Sequence, residues 1–490
     1  MMTILELNPK IVWKNFHALT QIPRPSKHEE KVSQYLYDFG KKLGLETIRE
    51  ECGNIIIRKP AAPGCEKKKG VILQGHMDMV PQKNADVKHD FENDPIQTWI
   101  DGDWVKAKGT TLGADDGLGV AMALSVLESK DIPHGPIECL FTVDEETGLT
   151  GANLLAPGLL KGKILINLDS EDEGQIFIGC AGGLDISVSG NCKVFERPND
   201  TVCMSLAFKG FQGGHSGTDI HRYRANANKM ACRVLYQVLS QTDAKLVSME
   251  GGTLRNAIPR ECFTVLFVPE RSMGKVREIA EKEFADIKAE YAITDPDAHM
   301  VFEACTNLPA GARYADPAKA LDFIRAALAC PDGVERMSSS VEGLVETSNN
   351  MAMIKLADGQ FFVKTLMRSS VDSAKMALAQ KLKAIFELAG CEVSFSGGYS
   401  GWAPNPDSDI VRLMEAQYEK MFGEKPLVIA DHAGLECGII GGKYPGLDMA
   451  SYGSTLRSPH SPDERANIPS LARTWDFLKA VLEEIPEEEA

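Results

Sequence analysis

The side chains that stand out chemically are histidines and carboxylates at the ends of apolar runs. Gly75-His76-Met77-Asp78 closes the run Val71-Ile72-Leu73, and Leu112-Gly113-Ala114-Asp115-Asp116-Gly117 opens an apolar stretch of helical spacing. The apolar run 137–143 ends in Asp144-Glu145-Glu146, and the run 164–168 ends in Asp169. In an open α/β sheet, ligands sit beyond the carboxyl ends of the strands. Histidine and carboxylates delivered there, with no cysteine among them, favour a divalent ion such as Zn2+, Mn2+ or Co2+. A pair of ions about 3.5–4 Å apart needs a bridging carboxylate and terminal ligands on each ion. Asp115 is the candidate bridge, and His76, Glu146, Asp169 and His460 are the candidate terminal ligands. Asp78, just past His76, suits the carboxylate that orients a ligating imidazole. Glu145, adjacent to Glu146, suits a general base acting on the attacking water.

Each of these residues has an ordinary alternative. A strand-end aspartate is most often a turn residue or a helix cap. Asp115 and Asp116 open a helix and could both be caps, and Asp144 to Glu146 could be a solvated turn. His460, in Ser458-Pro459-His460-Ser461-Pro462, is unremarked on its own. The metal reading rests on all of them falling where one sheet edge would gather them.

The elements that must position these groups alternate between strand and helix. Ser26-x-x-Glu29 has the pattern of a capping box. It precedes Val32, Tyr35, Leu36, Phe39 and Leu43 at helical spacing, with Gly44 as a stop. Residues 45–49 and 55–57 predict a hairpin, 71–75, 137–143 and 163–168 predict buried strands, and a helix follows Gly117. A Gly-rich turn is expected around Gly148 and Gly151, and 82–104, with no clear element, is expected to wrap the surface as loop and short strand. From Gly179-Cys180-Ala181-Gly182-Gly183 onward the character changes, with helices expected at 219–240, 273–290, 317–329 and 372–389. Asn256 followed by Phe263-Thr264-Val265 loosely repeats as Asn350 followed by Phe361-Phe362-Val363, which suggests a duplicated α+β unit. After residue 400 the first pattern returns: a helix, a strand at 427–430, and a last helix at 470–484. The expectation is an α/β protein with a mostly parallel sheet. Its catalytic domain is formed by 1–183 and 400–490 and interrupted by an inserted α+β lid at 184–399.

The 490 residues carry a net charge of −16 with 43% hydrophobic and 25% charged content. That describes a globular chain with ample core and argues against nucleic acid or an anionic membrane as partner. No basic-then-apolar leader is evident at the N-terminus and no apolar run approaches the ~20 residues of a membrane span. The 12 cysteines include no C-x-x-C pair. Free thiols in a cytoplasmic protein are therefore expected.

Taken together, Gly75-His76-Met77-Asp78, Gly113-Ala114-Asp115-Asp116-Gly117, Asp144-Glu145-Glu146-Thr147-Gly148, Asn167-Leu168-Asp169-Ser170 and Pro459-His460-Ser461-Pro462-Asp463-Glu464 resemble the co-catalytic zinc peptidases. That family includes aminoacylase, glutamate carboxypeptidase and several dipeptidases. The likeness extends over nearly the whole chain, including His432-Ala433-Gly434-Leu435-Glu436-Cys437-Gly438. It implies hydrolysis of dipeptides with a free C-terminal carboxylate, Xaa-His among them, by a homodimer. His76 and Asp169 would hold one zinc and Glu146 and His460 the other, with Asp115 bridging, Glu145 as base and Asp78 behind His76. In the lid, the resemblance assigns His215, in Gly213-Gly214-His215-Ser216-Gly217, to the oxyanion. It assigns Asn256, Arg368 and the backbone near Gly434 to the substrate carboxylate. Asp116 departs from the asparagine common at this position. An N-acyl amino acid deacylase or carboxypeptidase, and a non-catalytic metal-binding descendant, are the competing readings.

Overall fold

The structure, a computed structural model, describes residues 3–305 and 311–488. The described chain forms two compact units. One comprises 1–180, 402–430 and 435–490, and the other 181–401 and 431–434.

The first unit is built on an eight-stranded sheet. At its middle Ile137–Thr142, Val71–His76, Ile164–Asn167 and Asp448–Ser451 run parallel, in that spatial order. Every residue of the first three is buried, as expected where helices cover both faces of a parallel sheet. The strands at the margins are antiparallel. Glu46–Arg49 and Ile55–Lys59 form the expected hairpin beside Ile137–Thr142, and Gln175–Cys180 lies antiparallel to Asp448–Ser451. The helix Ala114–Glu128 is buried along almost its whole length. Its glycines and small side chains admit the close approach of neighbouring elements.

Two local expectations change, and a third is sharpened. Ser26 and Glu29 do not cap the helix Glu30–Lys42, whose start shows no side-chain cap. Ser26 Oγ donates instead to Asp78 Oδ2 at 2.8 Å, and Glu29 Oε1 accepts the backbone N–H groups of Lys27 and Asp144. The turn around Gly148 is two short helices, Glu145–Gly148 and Thr150–Leu154. The stretch 82–104 contributes Thr98–Asp101 and the start of Trp104–Ala107 to a four-stranded sheet with Leu456–Arg457 and Arg465–Asn467. The loop between those last two strands carries His460.

The second unit is a nine-stranded antiparallel sheet. Residues from Ala227–Gln241, Met273–Glu290, Pro317–Ala329 and Asp372–Leu388 join strand residues in one continuous apolar core. The expected helix at 219–240 starts later, at Ala227, because the Asn226 side chain caps it by accepting the N–H groups of Asn228 and Lys229. The strand order is the same in both halves. Outward from the centre it reads Lys245–Gly251, Cys262–Pro269, Thr201–Lys209, His299–Ala304 on one side. On the other it reads Val345–Ala357, Gln360–Ser369, Gly182–Asn191, Glu392–Tyr399. No disulfide joins the cysteines of the described residues, and no helix among those residues is long and apolar enough to cross a membrane.

Candidate metal centre

The parallel strands deliver their carboxyl ends to one place in the first unit. His76 ends its strand, and its Nε2 lies 3.1 Å from Asp115 Oδ1 and 3.4 Å from Asp169 Oδ1. His460 Nε2 lies 3.0 Å from the other oxygen of Asp115, Oδ2, and 2.9 Å from Glu146 Oε2. Asp115 is thus shared by two donor groups, His76–Asp115–Asp169 and Asp115–Glu146–His460, each with its ligand atoms within 4.8 Å of one another. All five expected ligands are brought together. The donor chemistry fits two divalent ions: imidazole and carboxylate only, with one carboxylate facing both groups. Glu146 Oε1 is buried without a hydrogen-bond partner, as an oxygen reserved for a cation would be.

Asp78 lies on the far side of His76, its Oδ1 3.4 Å from Nδ1, a separation that makes the contact electrostatic more than a full hydrogen bond. Three donors hold Asp78 there: Ser26 Oγ and the backbone N–H groups of Glu145 and Glu146. Burial works against its charge, but His76 and these donors hold it below the usual carboxylate range. Burial also opposes a charged His76, yet Asp169, Asp115 and Asp78 together push the imidazole well above its ordinary value. Contacts with Asp115 and Glu146 push His460 up to about 11. Burial, opposed by His76, carries Asp169 up to about 7. Glu145 is raised well above a normal glutamate, first by burial and then, against His76, by Asp169, Glu436 and Glu146. Such a concentration of like charge in a dry site is what a cation would relieve.

Three supporting residues had no assigned role in the sequence reading. Glu464, 2% exposed, accepts four backbone N–H groups. Oε2 takes those of Leu112 and Gly113 at 2.7 and 3.0 Å, and Oε1 those of Ala114 and Asp115 at 2.7 and 3.2 Å. It lies in the same loop as His460, so one carboxylate ties that loop to the turn bearing Asp115. Arg24, also 2% exposed, donates to the carbonyl oxygens of Met77, Asp78 and Gly113, joining the turn after His76 to the turn before Asp115. Glu436 is buried against Gln74 and Thr142. The first two bind backbone, which leaves no side-chain pattern to find. The only clue in sequence is that Glu464 closely follows His460. The glycines make room: a Cβ on Gly117 would fall 2.5 Å from Arg24 Nη2, and one on Gly119 2.2 Å from Asp116 Oδ1. Asp116 is buried, accepts the N–H of Gly119 at 3.1 Å, and belongs to neither donor group.

In the second unit His215 ends the short strand Gly214–His215, paired with Ala257–Ile258. Its Nδ1 accepts the backbone N–H groups of Gly217 and Thr218 at 3.3 and 3.2 Å, so in the neutral ring Nε2 carries the proton. Burial, with the neighbouring Arg368 charge, lowers its pKa and keeps it neutral. Gly217 marks where His215 and Arg368 converge: a Cβ there would be 3.1 Å from His215 Cε1, 3.2 Å from Arg368 Nε and 2.5 Å from the His432 carbonyl oxygen. Arg368 is buried, and its Nε has no hydrogen-bond partner. Asn256 is exposed, and the loop holding it is fixed by Asn350 Nδ2, which donates to the carbonyls of Arg255 and Ala257. Gly434 lies against the ring of Tyr399.

Comparison with known proteins follows the same lines. The model of peptidase family M20/M25/M40 matches residues 72–484. The cytosol non-specific dipeptidase of Escherichia coli K12 is 41% identical over 487 residues, covering 99% of this chain and 100% of that one. The crystal structure of aminoacylhistidine dipeptidase from Vibrio alginolyticus superposes with a TM-score of 0.95 at 45% identity, covering 100% of this chain and 99% of that one. Aminopeptidase PepT from Bacillus cereus shares the fold, with a TM-score of 0.57 at 18% identity over 98% of this chain and 99% of that one.

Proposed function

The chain belongs to peptidase family M20/M25/M40, and on that premise we propose that it is a metal-dependent dipeptidase. It hydrolyses dipeptides that carry a free C-terminal carboxylate, Xaa-His among them. The observation that carries this reading is the sharing of Asp115 between two donor groups, with Glu145 beside them within reach of His76 and Glu146. The names of the two full-length relatives support the substrate class.

In this reading His76 and Asp169 hold one ion, Glu146 and His460 the other, and Asp115 both. Zn2+ suits the donors best, with Mn2+ and Co2+ as alternatives. Bound there, the ions supply Lewis acidity and bring the pKa of a water towards neutrality. Asp78 keeps the His76 ring in place. Glu145 takes the proton of the attacking water and passes it to the leaving amine. His215, with the proton on Nε2, donates to the developing oxyanion. Arg368 forms no ion pair among the described residues and receives the free carboxylate as a bidentate pair. Asn256 and the backbone at Gly434 complete that grip. The enzyme works as a cytoplasmic homodimer, a state that analytical ultracentrifugation reads directly.

The test is hydrolysis of Ala-His, Gly-Gly and β-Ala-His by metal-stripped protein, with and without added Zn2+, Mn2+ or Co2+, beside Glu145→Ala. Cleavage that needs metal and vanishes in the variant supports the proposal. Two ions bound without cleavage would redirect it to N-acyl amino acids.

A further inference from the structure

The strands beneath the metal centre carry polar side chains that the mechanism does not use. Thr142, Gln74, Asn167 and Ser451 come one each from the four adjacent parallel strands, and each is 0% exposed. Fully buried polar groups are costly unless paired. These are joined in one line. Ser451 Oγ donates to Asn167 Oδ1 at 2.5 Å, Asn167 Nδ2 to Gln74 Oε1 at 2.7 Å, and Gln74 Nε2 to Glu436 Oε2 at 2.6 Å. From the other side Thr142 Oγ1 donates to the same Glu436 oxygen at 2.7 Å. Every donor in the line points towards Glu436, so one acceptor at its end fixes the orientation of both amides.

The line lies directly under the two strand ends that carry ligands. Thr142 is the cross-strand partner of His76, and Gln74 that of Asn167. Asn167 Oδ1 also accepts the backbone N–H of Asp169 at 3.3 Å. An apolar core of the same shape would be as stable or more so. What the polar line adds is a fixed register of side chains and backbone at His76 and Asp169.

We propose that Glu436 is a positioning residue: its carboxylate anchors the buried line Thr142–Gln74–Asn167–Ser451 and thereby sets the geometry of His76 and Asp169. This rests on reading those two residues as metal ligands. The test is Zn2+ binding to the metal-stripped full-length chain, by competition with a chromophoric chelator, beside circular dichroism and a thermal melt. The variants are Glu436→Gln, Glu436→Met and Gln74→Met. Glutamine keeps an oxygen for Gln74 and Thr142, and affinity within threefold of wild type is expected. Glu436→Met removes the acceptor, and at least a tenfold loss at one of the two ions is expected with secondary structure retained. Gln74→Met cuts the line while leaving Glu436 in place. It is expected to show the same loss, which keeps the proposal exposed if Glu436→Met does not fold. Two ions bound equally well by wild type and both methionine variants overturn the proposal alone. So does a loss in Glu436→Gln as large as in Glu436→Met. A wild-type chain that binds no Zn2+ overturns the metal centre and this inference with it.

Discussion

Replacing Glu464 by glutamine changes one oxygen to an amide nitrogen and nothing in volume, yet the structure makes it a severe change. Both carboxylate oxygens are acceptors, each for two backbone N–H groups at 2.7 to 3.2 Å. Whichever way the glutamine amide turns, its NH2 faces two N–H donors, so two charge-assisted bonds are lost and two buried donors are left unpaired. At about 1.5–3 kcal/mol for each bond to a charged group, the loss is on the order of 3–6 kcal/mol. Part of it is spent in loosening the fold and part in releasing the turn that holds Asp115. If half falls on metal binding, affinity drops by at least about tenfold, since ~1.4 kcal/mol is a factor of ten. Chelator competition on metal-stripped Glu464→Gln measures this, and a thermal melt reads the remainder as a fall of several degrees. Zn2+ affinity within twofold of wild type, with an unchanged melt, would refute the idea that this carboxylate ties the His460 loop to Asp115.

Other substitutions probe separate steps. Gly119→Ala places a Cβ 2.2 Å from Asp116 Oδ1 and 2.7 Å from the Leu168 carbonyl oxygen, and should cost about 1–3 kcal/mol of stability by overpacking, read from denaturant melts. Arg368→Met should lower kcat/KM for dipeptides by roughly a hundredfold, about 3 kcal/mol for lost charge-assisted bonds, while dipeptide amides lose far less. His432 is held down to about 3, first by burial and then by Arg368. The unfolded chain therefore takes up a proton below about pH 6.5 that the folded chain refuses, and stability falls as pH drops from there towards 3, by up to ~1.4 kcal/mol per pH unit. His432→Gln should flatten that slope in urea titrations at pH 7 and pH 5.

The strand ends that carry the candidate ligands were legible because two simple signals coincide there. A buried parallel strand is a short apolar run, and a charge ending it has few places to go except the sheet edge. Val71 to His76 and Ile164 to Asp169 show both. Where the sequence misled, a local pattern competed with a distant partner. Ser26 and Glu29 have the spacing of a capping box, but Asp78 and the N–H of Asp144 outbid the helix end for them. Among the described residues, Thr98–Asp101 pairs only with its neighbour Trp104–Ala107, and the strand that extends this hairpin into a sheet, Arg465–Asn467, lies far along the chain.

The residues without an assigned role share one property: they act on backbone or on other buried polar groups rather than on the ions. Arg24 binds three carbonyl oxygens and Glu464 four N–H groups, and neither contact depends on the type of residue it touches. Gln74 lies within its strand and Thr142, Asn167 and Ser451 close theirs, all at full burial. A polar residue in a run otherwise dictated by burial needs a partner of equal depth. For Gln74 and Thr142 that partner is Glu436, more than 290 residues away, a distance across which no local pattern reaches. The histidines and acids that would meet the ions can be recognised one motif at a time. The groups that hold them at 2.9 to 3.4 Å from one another become visible only when the strands are side by side.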